Sequence, residues 1–131
     1  MSDLKFYKNV FLLAGLWNTG AGIIAILFYK FILEKVFLHP AGGNDTLMIV
    51  YHMILFFTVM VIGLALLLAS RDPANNRALI FACALGKIVP PVIWGWLYFS
   101  GGASWMLISG ILVDTLFGVF FIIYLIKRPV R

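Results

Sequence analysis

Charged residues are scarce in this sequence. Asp, Glu, Lys and Arg make up 11% of its 131 residues, whereas 63% of the residues are hydrophobic. An ordinary soluble domain has about 25% charged and about 45–50% apolar residues. A water-soluble fold of this size could not bury so much apolar surface. We therefore predict an all-α integral membrane protein in which residues 1–131 form a single transmembrane domain.

Cysteine is rare and recognisable catalytic motifs are missing. The one cysteine, Cys83, lies within an apolar run, which excludes an internal disulfide and a C-x-x-C redox pair. The sequence has no G-x-S-x-G, no H-E-x-x-H and no phosphate-binding Gly-rich loop. No second His, Glu or Cys stands at metal-ligand spacing from His52. We expect no enzymatic activity, no cofactor and no metal site.

Long hydrophobic runs dominate what the sequence does contain. A helix needs about 20 predominantly apolar residues to cross a hydrocarbon core of about 30 Å, and four runs meet this length: 10–29, 47–70, 78–99 and 105–126. The connections 71–77 and 100–104 are short, which favours antiparallel neighbours. Residues 30–45 begin with an apolar stretch, which predicts a helical extension or an interfacial helix. The pattern predicts an up-down four-helix bundle.

The distribution of basic residues predicts the orientation of this bundle. Seven Lys and Arg residues lie before the first run, between the second and third runs or after the fourth, and two lie in 30–45. Because cytoplasmic loops carry the excess of Lys and Arg, we expect both termini in the cytoplasm and the protein in the plasma (inner) membrane. The net charge is +5, but the basic residues form no continuous patch. We expect the lipid bilayer, and not nucleic acid, as the partner.

Polar residues inside the runs mark a candidate site. Lys87 and Asp114 each lie near the middle of their run, and an ionisable residue at that depth costs about 2.5–3.5 kcal/mol on insertion scales. Antiparallel neighbours bring these two residues to the same depth, so we predict a direct or water-mediated ion pair. Asn18 and Thr58 lie at mid-depth in the other two runs. Each of the four helices is therefore expected to contribute one polar atom to this layer.

Prolines and glycines surround the same layer. Pro90 and Pro91 cannot donate hydrogen bonds to the carbonyls of Gly86 and Lys87, so the third helix is expected to kink between residues 86 and 91. Glycines at 110 and 118 give the fourth helix a flat face beside Asp114 that lets the third helix approach. Helices broken at membrane depth are tolerated where they are buried in protein or line a cavity.

Two functions fit these residues. In the first, the protein is a transporter or channel-forming unit for a small polar solute or a proton, and the binding residues are Lys87, Asp114, Asn18, His52 and Trp94. One four-helix chain is thin for a pathway, so this function predicts a homo-oligomer. In the second, the protein is an accessory subunit of a larger membrane complex, and the Lys87–Asp114 pair only fixes the register of the helices.

The roles of His52 and Trp94 are open. A lone histidine near a membrane interface is more often a satisfied polar residue than a ligand. Trp94 follows Lys87 by two helical turns, so it either covers the outward side of the lysine or packs against lipid. Trp17, next to Asn18, is open to the same two interpretations.

The orientation is testable by cysteine labelling. Residue 42 lies in the 30–45 connection, which the Lys and Arg asymmetry places outside the cell. In a Cys83→Ala background, a Gly42→Cys variant is expected to react with a membrane-impermeant maleimide added to intact cells. Labelling from the cytoplasmic side alone would contradict the orientation.

Overall fold

A computed structural model describes residues 2–40 and 42–127, and these residues form helices and turns without any strand. The four long helices are α1 (Ser2–Leu27), α3 (Thr46–Ala69), α4 (Arg77–Phe99) and α5 (Met106–Lys127). The short helix α2 (Tyr29–Phe31) continues into a π-helical turn at Ile32–Val36, and a 3-10 turn follows at Gly42–Asn44.

Each long helix is long and apolar enough to cross a membrane. In their apolar windows, between 17% and 39% of the residues are buried within the protein. Most of the apolar side chains therefore face outward, as is expected of helices surrounded by lipid instead of water. The all-helical fold predicted from composition is confirmed in the described residues.

The helix boundaries differ from the hydrophobic runs mainly at the N-terminus. Helices α3, α4 and α5 begin and end within one residue of the second, third and fourth runs. Helix α1 begins at Ser2, well before the first run at residue 10, because Lys5 and Lys8 are good helix formers that extend the helix beyond its apolar part. The apolar start of 30–45 continues as helical turns to Val36.

The long helices pack as two pairs, α1 with α3 and α4 with α5, and contacts between the pairs are few. Glycines permit the close approach within each pair. A Cβ at Gly63 would lie 2.5 Å from the backbone nitrogen of Thr19, and one at Gly118 would lie 3.2 Å from the Cβ of Lys87. The flat face predicted for α5 is therefore used at Gly118, whereas a Cβ at Gly110 would meet only the ring of Trp94, at 3.9 Å.

One end of the bundle has a dense core, which we call the packed end. Its buried residues come from all four long helices: Tyr7, Val10, Phe11, Ala14, Leu66, Ile80, Cys83, Ala84, Phe121 and Tyr124. Aromatic rings form much of it, and the ring of Phe11 lies 5.1 Å from those of both Phe121 and Tyr124. Ring pairs at such distances add to the stabilisation from apolar burial.

At the other end of the bundle, the turn at 32–37 contacts the α4–α5 connection. The backbone N–H of Ser104 donates to the carbonyl of Val36 at 2.8 Å. Val36, Ala103 and Leu107 form a small buried cluster, and Trp94 and Leu97 pack against it. The connection that follows α1 therefore closes over the pair α4–α5.

The two prolines lie inside α4, which continues as a single α-helix through both of them. The chain does not break into two segments at this point. The carbonyls of Gly86 and Lys87 nevertheless lack the usual donor four residues later, since proline has no N–H. The kink expected from these missing bonds stays a prediction.

Candidate functional site

Lys87 is the centre of a buried polar cluster. Its side chain comes from α4, and its ammonium donates hydrogen bonds to the Oδ1 atoms of Asn18 on α1 and Asp114 on α5. The relative exposures of these three residues are 2%, 5% and 8%. The ion pair predicted between Lys87 and Asp114 is therefore confirmed as a direct contact. The ring of Phe117 lies 5.8 Å from the ammonium and covers another side of it.

Trp17 joins this cluster, although the sequence left its role open. Its indole N–H donates to Oδ1 of Asp114 at 3.2 Å. An indole N–H removed from water usually finds an acceptor, and Asp114 is the one carboxylate within the four hydrophobic runs. That combination was a signal available in the sequence. We call Trp17, Asn18, Lys87 and Asp114 the Lys87 cluster.

Asp114 and Asn18 each have one side-chain atom without a hydrogen bond from the described residues. Oδ1 of Asp114 accepts from both Lys87 and Trp17, and no donor reaches Oδ2. Oδ1 of Asn18 accepts from Lys87, and no acceptor lies near its Nδ2. Neither atom is sealed from its surroundings, in contrast with the unpartnered hydroxyl of Thr19.

The Lys87 cluster lies on the wall of a cavity of about 750 Å³. The cavity runs between the two helix pairs, from the packed end to the turn at 32–37, and all four long helices line it. Its wall is otherwise mainly apolar, and Gly20 and Gly86 contribute no side chain to it. Lys87 and Asp114 are the only Lys, Arg, Asp or Glu residues among the described residues of this wall.

The cavity is open toward the surroundings of the bundle. Several lining residues are well exposed, including Leu55 on α3 (44%) and Ile93 on α4 (56%). On α1, Leu16 and Ile24 line the cavity with 54% and 56% of their surface exposed. Because these positions lie within apolar helices that can span a membrane, the openings would face lipid acyl chains.

The other predicted site residues occupy different surroundings. Trp94 lines the cavity and packs on the small cluster at its end. His52 is buried but lies outside the Lys87 cluster and outside the cavity wall. Its Nε2–H donates to the carbonyl of Ala25 at 2.9 Å, and its ring lies 4.6 Å from that of Phe56. Carbonyls in the last turn of a helix lack an intrahelical donor, so His52 satisfies the end of α1.

The expected contribution of Thr58 to the polar layer is wrong. Thr58 is exposed, and its hydroxyl donates to the carbonyl of Ile54 on the same helix at 2.8 Å. A threonine in a helix can satisfy itself in this way, so it needs no partner in the bundle. The layer is built from three helices, α1, α4 and α5, and α3 contributes only apolar residues to the cavity wall.

Comparisons of the chain with protein-family models, with curated proteins and with solved structures gave no match. The chemistry of the site must therefore be inferred from its own residues. The Lys87 cluster holds one positive and one negative charge that cancel, and its free side-chain atoms include Oδ2 of Asp114, an acceptor, and Nδ2 of Asn18, a donor. Such a group can orient a bound molecule by hydrogen bonds.

The contribution of the ion pair to stability is testable with single and double variants. Lys87→Met leaves the buried carboxylate of Asp114 without its counter-ion, so we expect it to lower the free energy of unfolding by about 3–5 kcal/mol. Lys87→Met combined with Asp114→Leu removes both charges, so the free energy of unfolding should recover most of the way to the native value. SDS titration in mixed micelles measures these free energies.

Lys127→Met provides the matched control, since Lys127 is exposed at the end of α5. It should change the free energy of unfolding by less than about 0.5 kcal/mol. If Lys87→Met is as stable as this control, the buried pair does not stabilise the bundle.

Proposed function

We propose that the protein is a small membrane transporter and that the cavity between its helix pairs is its substrate site. The observation that carries this proposal is the cavity of about 750 Å³ with the Lys87 cluster on its wall. Pockets that bind small molecules have volumes of about 300–1,000 Å³, mostly apolar walls and a few convergent polar groups. Both features are present in one place.

The composition of the wall favours an amphipathic substrate. A purely polar solute would not match apolar residues such as Leu16, Ile24 and Ile93, which form much of the wall. A molecule with an apolar body and a small polar head would contact both parts. The sequence predicted a small polar solute, whereas the cavity wall favours a solute that also has an apolar body.

The position of the cavity in the membrane follows from the proposed topology. The four long helices cross the plasma (inner) membrane in alternating directions, because the connections between them are short. Both termini lie in the cytoplasm, because Lys and Arg are concentrated on their side of the bundle. The turn at 32–37 then lies outside and the packed end lies toward the cytoplasm. In this arrangement the cavity lies in the outer half of the membrane, and release into the cytoplasm requires the packed end to open.

A single chain supplies every residue of the Lys87 cluster. Substrate binding therefore needs no second copy. The homo-oligomer expected from the sequence stays a prediction, with its contacts made through the outward apolar faces of the helices.

A second function, that of an accessory membrane subunit, is favoured by a different observation. The bonds from Lys87 to Asn18 and from Trp17 to Asp114 connect the two helix pairs where the cavity lies between them. A rigid partner protein would need such a connection but would not need an empty cavity. Filling the cavity therefore distinguishes the two functions.

Filling the cavity should abolish binding without unfolding the protein. A Cβ at Gly86 or at Gly20 meets no atom within 4 Å, and both residues line the cavity, so we expect Gly86→Leu and Gly20→Leu to place their side chains in the empty volume. The probe is ω-bromododecanol, whose bromine quenches tryptophan fluorescence. In nanodiscs, the native cavity should give saturable quenching, and both variants should lose the saturable part.

The background for this measurement is Trp96→Phe with Trp105→Phe. Both of these tryptophans are 70% exposed and lie outside the cavity wall, whereas the remaining two of the four, Trp17 and Trp94, line it. Gly95→Leu is the matched control, because Gly95 lies on the same helix as Gly86, has equally open space and does not line the cavity. Equal quenching in Gly86→Leu, Gly20→Leu and Gly95→Leu would contradict the proposal.

Opening of the packed end is testable at the native cysteine. Cys83 belongs to the packed end and also lines the cavity, and it is 3% exposed. In inside-out vesicles a membrane-impermeant methanethiosulfonate should label it slowly. Dodecanol, as a substrate surrogate, should increase this rate several-fold if substrate binding favours opening toward the cytoplasm.

A Lys127→Cys variant in a Cys83→Ala background controls for reagent access, since Lys127 is exposed at the end of α5. Its labelling should be fast with and without dodecanol. Labelling of Cys83 that stays slow in both conditions would favour the accessory function over transport.

A further inference from the structure

The charges on the cavity wall are already balanced, and this restricts the head group of a ligand. Lys87 and Asp114 neutralise each other by direct contact, and no other Lys, Arg, Asp or Glu among the described residues lines the cavity. An ionic head group would bring a third charge into this apolar space without a counter-ion. Burying an unpaired charge costs much more than burying a neutral polar group that is hydrogen-bonded.

The free polar atoms define which hydrogen bonds a ligand can make. Asp114 offers Oδ2 as an acceptor, and Asn18 offers Nδ2 as a donor. Their side chains contact the same ammonium of Lys87, and both residues line the cavity. The complementary head group has a donor for the carboxylate oxygen and an acceptor for the amide N–H.

We propose that the ligand of this cavity is a neutral amphipathic molecule whose head is a hydroxyl or a primary carboxamide. A hydroxyl combines one donor with two acceptor lone pairs, and a primary carboxamide combines two donors with a carbonyl. A carboxylate has no donor for Oδ2 of Asp114, and an ammonium has no acceptor for Nδ2 of Asn18. Either ion also adds a charge to a pair that is already neutral. This inference rests on the proposed function and specifies its substrate class.

The exposed parts of the wall suit a ligand with an apolar tail that enters the cavity from the bilayer. Leu55 and Ile93 line the cavity and are also exposed on the outside of the bundle. A neutral amphipathic molecule partitions into the membrane, so these openings give it direct access to the cavity. The head would then meet the Lys87 cluster while the tail stays among apolar side chains.

A panel of four dodecyl compounds tests the head group directly. Dodecanol, dodecanamide, dodecanoate and dodecylammonium share one tail, and each competes with ω-bromododecanol in nanodiscs of zwitterionic lipid that contain the Trp96→Phe, Trp105→Phe protein. After correction for partitioning into lipid, we expect dodecanol and dodecanamide to compete at least tenfold more strongly than either ion. Stronger or equal competition by dodecanoate or dodecylammonium would overturn the inference.

Charge variants provide a second measurement on the same panel. Asp114→Asn gives the cluster a net positive charge and should shift the preference toward dodecanoate. Lys87→Met gives it a net negative charge and should shift the preference toward dodecylammonium. Unchanged selectivity in folded variants would show that charge balance does not set the preference, which would also overturn the inference.

The two proposals fail in different ways. If Gly86→Leu abolishes saturable quenching but the ions compete as well as the neutral compounds, the binding site stands and the head-group inference fails. If the native protein shows no saturable quenching with ω-bromododecanol and none of the four compounds changes its fluorescence, both the proposed function and this inference fail.

Discussion

The arrangement of this bundle depends on the hydrogen bonds that the ammonium of Lys87 donates to two other helices. An ammonium in an apolar bundle needs hydrogen-bond partners, and Lys87 takes one from α1 and one from α5. Helix α4 must therefore lie close to both helices at this level, and Gly118 makes the approach to α5 possible. The bond to Asn18 also links the two helix pairs beyond the core of the packed end. Membrane helices gain little from apolar contact with each other, because lipid is equally apolar, so polar contacts of this kind have a larger share in fixing their positions.

The position of Lys87 also divides the bundle into two regions with different packing. On one side, aromatic residues such as Phe11 and Phe121 fill the space between all four long helices. On the other side, the helices remain apart, and the turn at 32–37 closes the end through the bond from Ser104 to Val36. The ion pair lies where these regions meet, and Oδ2 of Asp114 and Nδ2 of the neighbouring Asn18 carry no hydrogen bond from the described residues. This is how a buried, neutralised ion pair can still present hydrogen-bonding groups to a ligand.

The sequence was sufficient where the free-energy cost of exposing a charged residue to lipid decides the contact. It was insufficient where the contact depends on the rotation of a helix about its axis. Lys87 and Asp114 could be paired from the sequence because neither can face lipid cheaply, whatever the rotation of its helix. Thr58 was misleading because a hydroxyl can bond to its own helix. His52 bonds to the carbonyl of Ala25 near the end of α1, as a satisfied polar residue does. Trp17 was left open because an indole packs equally well against lipid or protein, and only the rotation of α1 places its N–H beside Asp114. The cavity itself could not be predicted, since it depends on the relative placement of four helices rather than on a motif.

The two halves of the same helices carry side chains of different size. Helix α5 carries Gly110 on the cavity wall and Phe121 in the packed end, and α1 carries Gly20 on the wall and Phe11 in the packed end. If the ion pair served only to fix register, large side chains at the glycine positions would add the dispersion contacts that an empty space lacks. There is room for them at Gly20 and Gly86, because a Cβ at either position meets nothing within 4 Å. The small residues leave stabilising contacts unmade beside the charged cluster, and a bound molecule with an apolar body would supply those contacts while its head reaches Asp114 and Asn18.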